Sequence, residues 1–242
     1  MIKAYLFDLD DTFYDCCNLN EEGVEALCRY ASDTLLHMDY DTVRGAFDAA
    51  RLSVKEQITD DVAARHNRML YMERMLEILR LPSVSFALEL YDYFWNYILS
   101  HMVLYNGVKE FLQRLREDGI LIGICTDMTV HIQHRKLRAL GIAEYIDYIT
   151  TSEEAGREKP DPVIFELALS KMGVRAEEVV YVGDSFRKDV EGPAEVGMTP
   201  IWYTDGQEQE SDYLHAKNYM EMSRIYIEQF AHAAYNLSLI HI

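Results

Sequence analysis

Ala4-Tyr5-Leu6-Phe7-Asp8-Leu9-Asp10-Asp11-Thr12 decides how the rest of this chain reads, because four apolar residues suited to a buried strand run straight into a group of carboxylates. Alternation along an extended strand sends Asp8 and Asp10 to the same side, so two like charges share one small volume. A cation is needed to offset them. Oxygen donors without histidine or cysteine suit a hard divalent ion, magnesium rather than zinc.

Three further segments read as buried parallel strands: Leu121 to Cys125, Tyr148 to Thr150 and Val179 to Val182. A fifth, Pro200 to Tyr203, carries a weaker signal. Between them apolar residues recur at helical spacing, as in Val108, Leu112 and Leu115 before the second strand and Ile164, Leu167 and Ala168 before the fourth. Strands alternating with helices predict a doubly wound α/β parallel sheet. Polar residues gather where strands end: Asp8 after the first, Thr126 and Asp127 after the second, Gly183-Asp184-Ser185 after the fourth. In open α/β sheets the carboxyl edge is where ligands bind.

Over a hundred residues part the first strand from the second, far more than a crossover helix takes, so an inserted domain is expected. The spacing assigns residues 15–104 to the insert and residues 1–14 and 105–242 to the core. Val24, Leu27, Cys28, Ala31 and Leu35 keep a helical period, as do Met69, Met72, Leu76 and Leu79, and the insert reads as wholly helical. Phe86, Tyr91, Tyr93, Phe94, Trp95 and Tyr97 read as its packing residues. Arg51, Lys55, Arg65, His66 and Arg68 read as a solvated helical face, with contact to a leaving group as the alternative. Asn106-Gly107 marks the return to the core. Asp205 to Ser211 reads as a loop, and Tyr219, Met222, Tyr226 and Phe230 as a last helix.

With 41 acidic against 23 basic residues the chain carries a formal net charge of −18, which argues against nucleic acid as a partner. A bound phosphate would therefore need local neutralisation by metal, lysine and backbone N–H groups. The four cysteines, Cys16, Cys17, Cys28 and Cys125, have no spacing that makes a disulfide framework or a zinc site. The first residues lack the pattern of a signal peptide, and no apolar run reaches the roughly 18 residues of a spanning helix. A cytoplasmic protein with reduced thiols, not bound to a membrane, is expected. It would act as a monomer or homodimer on a small molecule.

The strand-end residues suit phosphoryl transfer. A carboxylate can attack phosphorus and form an aspartyl phosphate, and Asp8 is placed to do so. A second carboxyl group, Asp10, can protonate the leaving alkoxide and later deprotonate water. Magnesium held by Asp8 and Asp184 would offset the repulsion between nucleophile and phosphate. Lys159 adds a compact positive charge in Arg157-Glu158-Lys159-Pro160-Asp161-Pro162, where two prolines stiffen the backbone. Thr126 offers a hydroxyl, with backbone N–H groups beside it to bind phosphate oxygens.

These residues resemble the four motifs of the haloacid dehalogenase (HAD) superfamily, in order: Asp8-Leu9-Asp10-Asp11-Thr12, the strand ending in Thr126, Lys159 before Pro160, and Gly183-Asp184-Ser185 with Asp189. The resemblance points to the helical-cap (C1, subfamily I) phosphatase branch of these hydrolases. It implies a Rossmann-like core with an inserted all-helical cap that closes over the site and selects the substrate. It also implies that Asp8 is phosphorylated, that Asp10 is the acid/base and a metal ligand through its backbone carbonyl, and that Asp184 is the remaining protein ligand of Mg2+. Asp189 and Ser185 would stand outside the ligand set, Asp189 orienting Lys159. Thr126, Asp127 and Lys159 would bind the phosphate.

One departure is Asp127, where asparagine is common in this branch. Its carboxylate is expected to face away and leave only its N–H to the phosphate, with Arg135, Lys136 or Arg187 as conceivable partners. Asp10 argues against dehalogenase chemistry, which needs no acid/base at that position. The expected activity is therefore magnesium-dependent hydrolysis of a small phosphorylated metabolite of nucleotide or sugar type. A phosphomutase and a non-catalytic binding protein are the alternatives.

Overall fold

A computed structural model describes residues 1–208 and 210–231; Gln209 and the last residues, with the uninterpreted stretch Ser238 to Ile242, lie outside them. Six parallel strands form one sheet: β1 (Ala4–Phe7), β2 (Leu121–Thr126), β3 (Tyr148–Thr151), β4 (Val179–Gly183), β5 (Thr199–Tyr203) and β6 (Leu214–Ala216), in the order β3-β2-β1-β4-β5-β6. All five strands expected from the sequence are present. β6 is the addition, three residues at the sheet edge that are too short to show any periodicity.

Ten α-helices accompany the strands among the described residues: α1 (Cys16–Tyr30), α2 (Tyr40–Gln57), α3 (Arg68–Ile78), α4 (Ser83–His101), α5 (Val108–Glu117), α6 (Val130–Ala139), α7 (Ser152–Ala155), α8 (Pro162–Met172), α9 (Gly192–Glu195) and α10 (Tyr219–Ile225). β1 is buried along its whole length because both faces of the sheet are covered. Its alternation divides the core: Tyr5 and Phe7 join one cluster with Phe111 of α5 and Tyr219 of α10, while Ala4 and Leu6 join a second with Phe165 and Met172 of α8.

The insert after β1 is helical. α2 packs on α3, α3 on α4 and α4 on α1, while α5 already lies against β2. Asp15, Asp39 and Asn67 each accept a backbone N–H at the first turn of α1, α2 and α3, which fixes where these helices start. Of the aromatic run in α4, Phe94 and Trp95 are buried, and α4 also touches α6 of the core. No helix among the described residues is long and apolar enough to cross a membrane.

Candidate active site

Strand register brings the motifs together. Phe7 is level with Ile124 of β2 and Val182 of β4, so the next residues, Asp8, Cys125 and Gly183, reach the carboxyl edge side by side. The backbone N–H of Asp8 still donates to Val182 O at 2.8 Å, which carries the ladder up to the carboxylate. β1 and β4 flank the point where the strand order reverses, the usual crevice of such sheets.

Lys159 is the hub. Its ammonium is buried and donates to Asp8 Oδ1 at 2.6 Å, Asp189 Oδ1 at 2.7 Å and the Tyr181 hydroxyl at 3.2 Å. Tyr181 in turn donates to the carbonyl of Cys125 at 3.0 Å, and the N–H of Ser185 donates to Asp189 Oδ2 at 3.0 Å. Burial, then the Asp189, Asp184 and Asp10 charges, push the Asp8 carboxyl well above the usual range, and Lys159 opposes them. Burial works against the Lys159 charge too, but Asp189 and Asp8 outweigh it and keep the lysine protonated.

Gly183 makes this arrangement possible. A Cβ there would come within 2.5 Å of Asp189 Cβ and Cγ, so any side chain would displace the residue that orients Lys159. Asp184 follows, anchored through its carbonyl, which accepts the Trp202 indole N–H at 2.7 Å. Burial, then Asp189 and Asp11, raise its carboxyl to about 7.

Asp8, Asp184 and Asp189 each place a carboxylate oxygen within 4.8 Å of the others, an all-oxygen cluster. Both oxygens of Asp189 are already taken, by Lys159 and by the Ser185 N–H. Among the described residues the side-chain donor that Asp8 Oδ2 and Asp184 Oδ1 meet is the Thr12 hydroxyl, at 3.3 Å and 3.5 Å. Two acids pushed upward by burial and mutual repulsion, with oxygens left over and no nitrogen or sulfur donor, fit a hard divalent cation.

Asp10 is placed differently from the expectation that it shares a pocket with Asp8. The chain turns at Asp11, whose φ is +60°, and Asp11 Oδ1 accepts the Cys17 N–H at 2.8 Å. The Asp10 carboxylate lies outside the acidic cluster and accepts Lys136 Nζ on both oxygens, at 2.8 Å and 2.7 Å, with the Tyr14 hydroxyl at 2.6 Å. Burial raises its pKa, yet Lys136, Tyr14 and Gln133 outweigh burial and hold the carboxyl below its ordinary value.

A protein-family model described as haloacid dehalogenase-like hydrolase matches residues 2–197. The chain belongs to this family. It is 37% identical over 212 residues to a ribulose-1,5-bisphosphate 5-phosphatase of Halopiger xanaduensis, covering 87% of this chain and 88% of that protein. A glyceraldehyde 3-phosphate phosphatase of Methanopyrus kandleri is 31% identical over 214 residues, 88% of each chain. Among solved structures, a HAD phosphatase from Thermococcus onnurineus superposes with a TM-score of 0.69 at 26% identity, covering 93% of this chain and 97% of that one.

In this HAD-like hydrolase the second and third motifs meet through Asp127. Its carboxylate pairs with Lys188 at 2.7 Å and accepts the Lys159 backbone N–H at 3.0 Å. Lys188 thus takes the place considered for Arg135, Lys136 or Arg187: Arg135 reaches Asn96 at 3.2 Å instead, and Lys136 is spent on Asp10. The extra negative charge is neutralised locally. Thr126 Oγ1 accepts Gln133 Nε2 at 2.7 Å and donates to the Asp127 carbonyl at 3.2 Å.

Gln133 is not legible as a site residue, and Lys136 is legible only as a partner considered for Asp127, although a signal exists for both. Ile132 and Leu137 define the buried face of α6, with Leu140 just past its end, and Gln133 and Lys136 fall on that same face at helical spacing. Polar groups on an apolar stripe need buried partners, and here the partners are Asp10 and Thr126.

Proposed function

We propose that this phosphatase of the HAD family hydrolyses phosphomonoesters of small metabolites in two displacements through Asp8, with magnesium as cofactor. The observation that carries the reading is the buried Asp8–Lys159–Asp189 chain beside Asp184, since it leaves one Asp8 oxygen unclaimed by lysine at the edge of the sheet. That oxygen attacks phosphorus, an Asp8–phosphorus bond forms, and the ester oxygen leaves with the bonding pair. Lys159 holds the other Asp8 oxygen and sets the direction of attack. Asp10 donates a proton to the departing oxygen and later takes one from the water that cleaves the aspartyl phosphate. For the first of these steps Asp10 has to part from Lys136, which is then free to face substrate charge.

Magnesium would be held by Asp8, Asp184 and the main-chain carbonyl of Asp10, and when bound supplies positive charge against the phosphoryl oxygens. Residues 15–104 serve as the cap and residues 1–14 and 105–242 as the core in this reading. The relatives whose names specify a ribulose bisphosphate or a triose phosphate support a small phosphorylated substrate.

Phosphate release from p-nitrophenyl phosphate, with and without magnesium, is the test. Turnover should need the metal, and Asp8→Asn should lower it by roughly 10⁴-fold or more. Equal rates in the two chains would end the reading, as would a beryllium trifluoride adduct on any side chain other than Asp8.

A further inference from the structure

We infer that the cavity lined by Arg51 and Lys55 of α2 with His66 and Arg68 is a subsite for a second phosphate on the substrate. This rests on the phosphatase reading above and names the class of substrate, a bisphosphate.

The cavity is about 170 Å³, several times the ~30 Å³ share of a water in the liquid. Three fixed cations and a histidine line it, and no carboxylate does, in a chain with 41 acidic residues against 23 basic ones. Four other arginines of the insert are neutralised locally, Arg29 by Glu25, Arg44 by Glu21 and Asp48, Arg65 by Asp61 and Arg74 by Glu77, whereas Arg80 is not and does not line the cavity. Among the described residues the side chains of Arg51 and Lys55 form no ion pair. They stand one helical turn apart on α2, where like charges repel. Burial, then Arg51, Arg68 and Arg65, push the Lys55 ammonium below its ordinary pKa, with Glu158 opposing them less strongly. Repulsion of this kind is relieved by a bound anion.

One buried carboxylate, Glu158, borders the cluster, against three cationic side chains and a histidine. Arg68 donates to the His66 carbonyl at 2.8 Å and Asn20 Oδ1 at 2.7 Å, both uncharged acceptors. His66 faces Glu158 Oε1 at 3.3 Å, while Glu158 Oε2 meets Lys188 at 3.5 Å, so this single carboxylate is shared between two cations. Position links the cavity to the chemistry. Arg68 and Asn20 also line a second, narrow cavity of about 20 Å³ together with Tyr14 and Lys136, the two residues that grip Asp10. A substrate whose leaving group meets Asp10 therefore extends toward Arg68, and a dianion at its far end suits the cations waiting there.

Calorimetric binding to the Asp8→Asn chain in magnesium, with ribulose 1,5-bisphosphate and ribulose 5-phosphate as probes, tests this without turnover. The bisphosphate should bind roughly 10-fold tighter or more, with a preference that shrinks as salt rises. Adding Arg51→Gln and Lys55→Gln should bring the two affinities to near parity; both side chains are at least partly exposed, and Arg51→Gln alone should remove part of the preference. Equal affinities at the outset, no binding of the bisphosphate, or a preference that survives the double substitution would overturn the subsite. p-Nitrophenyl phosphate carries no second anion, so its hydrolysis by the unsubstituted chain judges the phosphatase reading separately.

Discussion

Two aspartate–lysine pairs stand at the two ends of the site, only two residues apart at their acidic members, and they behave oppositely. At the inner end Lys159 serves both Asp8 and Asp189, with Asp184 nearby, so carboxylates outnumber the ammonium and Asp8 is pushed upward. At the outer end Lys136 serves Asp10 alone, helped by the neutral donors Tyr14 and Gln133, and Asp10 is pulled down. The same pair of residue types gives opposite shifts because burial favours the neutral acid and only a full complement of positive charge or donors reverses it. The inner end is short of one cation, which a divalent ion would supply. The outer end is balanced until its lysine is drawn away.

Replacing Asp10 by Asn should produce the largest contrast after loss of the nucleophile. Turnover is expected to fall by about 10²- to 10⁴-fold, the usual range for an acid–base group, while magnesium affinity falls far less because the Asp10 carboxylate lies outside the acidic cluster. Parallel titrations of rate and metal binding check this, and equal losses would put the Asp10 side chain at the metal.

Lys159→Met probes the inner end through stability. It leaves Asp8 and Asp189 buried without their shared cation, at a cost of about 3–5 kcal/mol in urea unfolding of the metal-free chain. A change under about 1 kcal/mol would mean that water or protonation already compensates the acids.

Lys136→Met should have the smallest effect, an upward move of the Asp10 pKa. The sign follows from removing the positive charge and hydrogen bonds that hold its pKa down. The acidic limb of the kcat profile should therefore move to higher pH. A limb that stays in place would assign it to another group.

Much of this was legible locally. Asp8, Asp10 and Asp184 follow apolar runs within a residue or two, and Lys159 sits between its own glutamate and proline, so strand ends announce their chemistry without knowledge of the rest of the fold. The sheet was equally readable, since its strands are buried on both faces and need only continuous apolar residues. β6 escaped for want of length, and Gly183 reads as a turn glycine until Asp189 is seen against it.

The sequence by itself determined the strand order along the chain, the helical insert and the acids and lysine of the motifs, because each depends on neighbours a few residues away. Tertiary structure alone decided that Lys136 grips Asp10, that Lys188 answers Asp127, and that Arg51, Lys55, His66 and Arg68 line one cavity. A charge on a helical face looks the same in sequence whether it meets solvent or another helix. Its energy is set by what packs opposite, and that is a property of the folded chain.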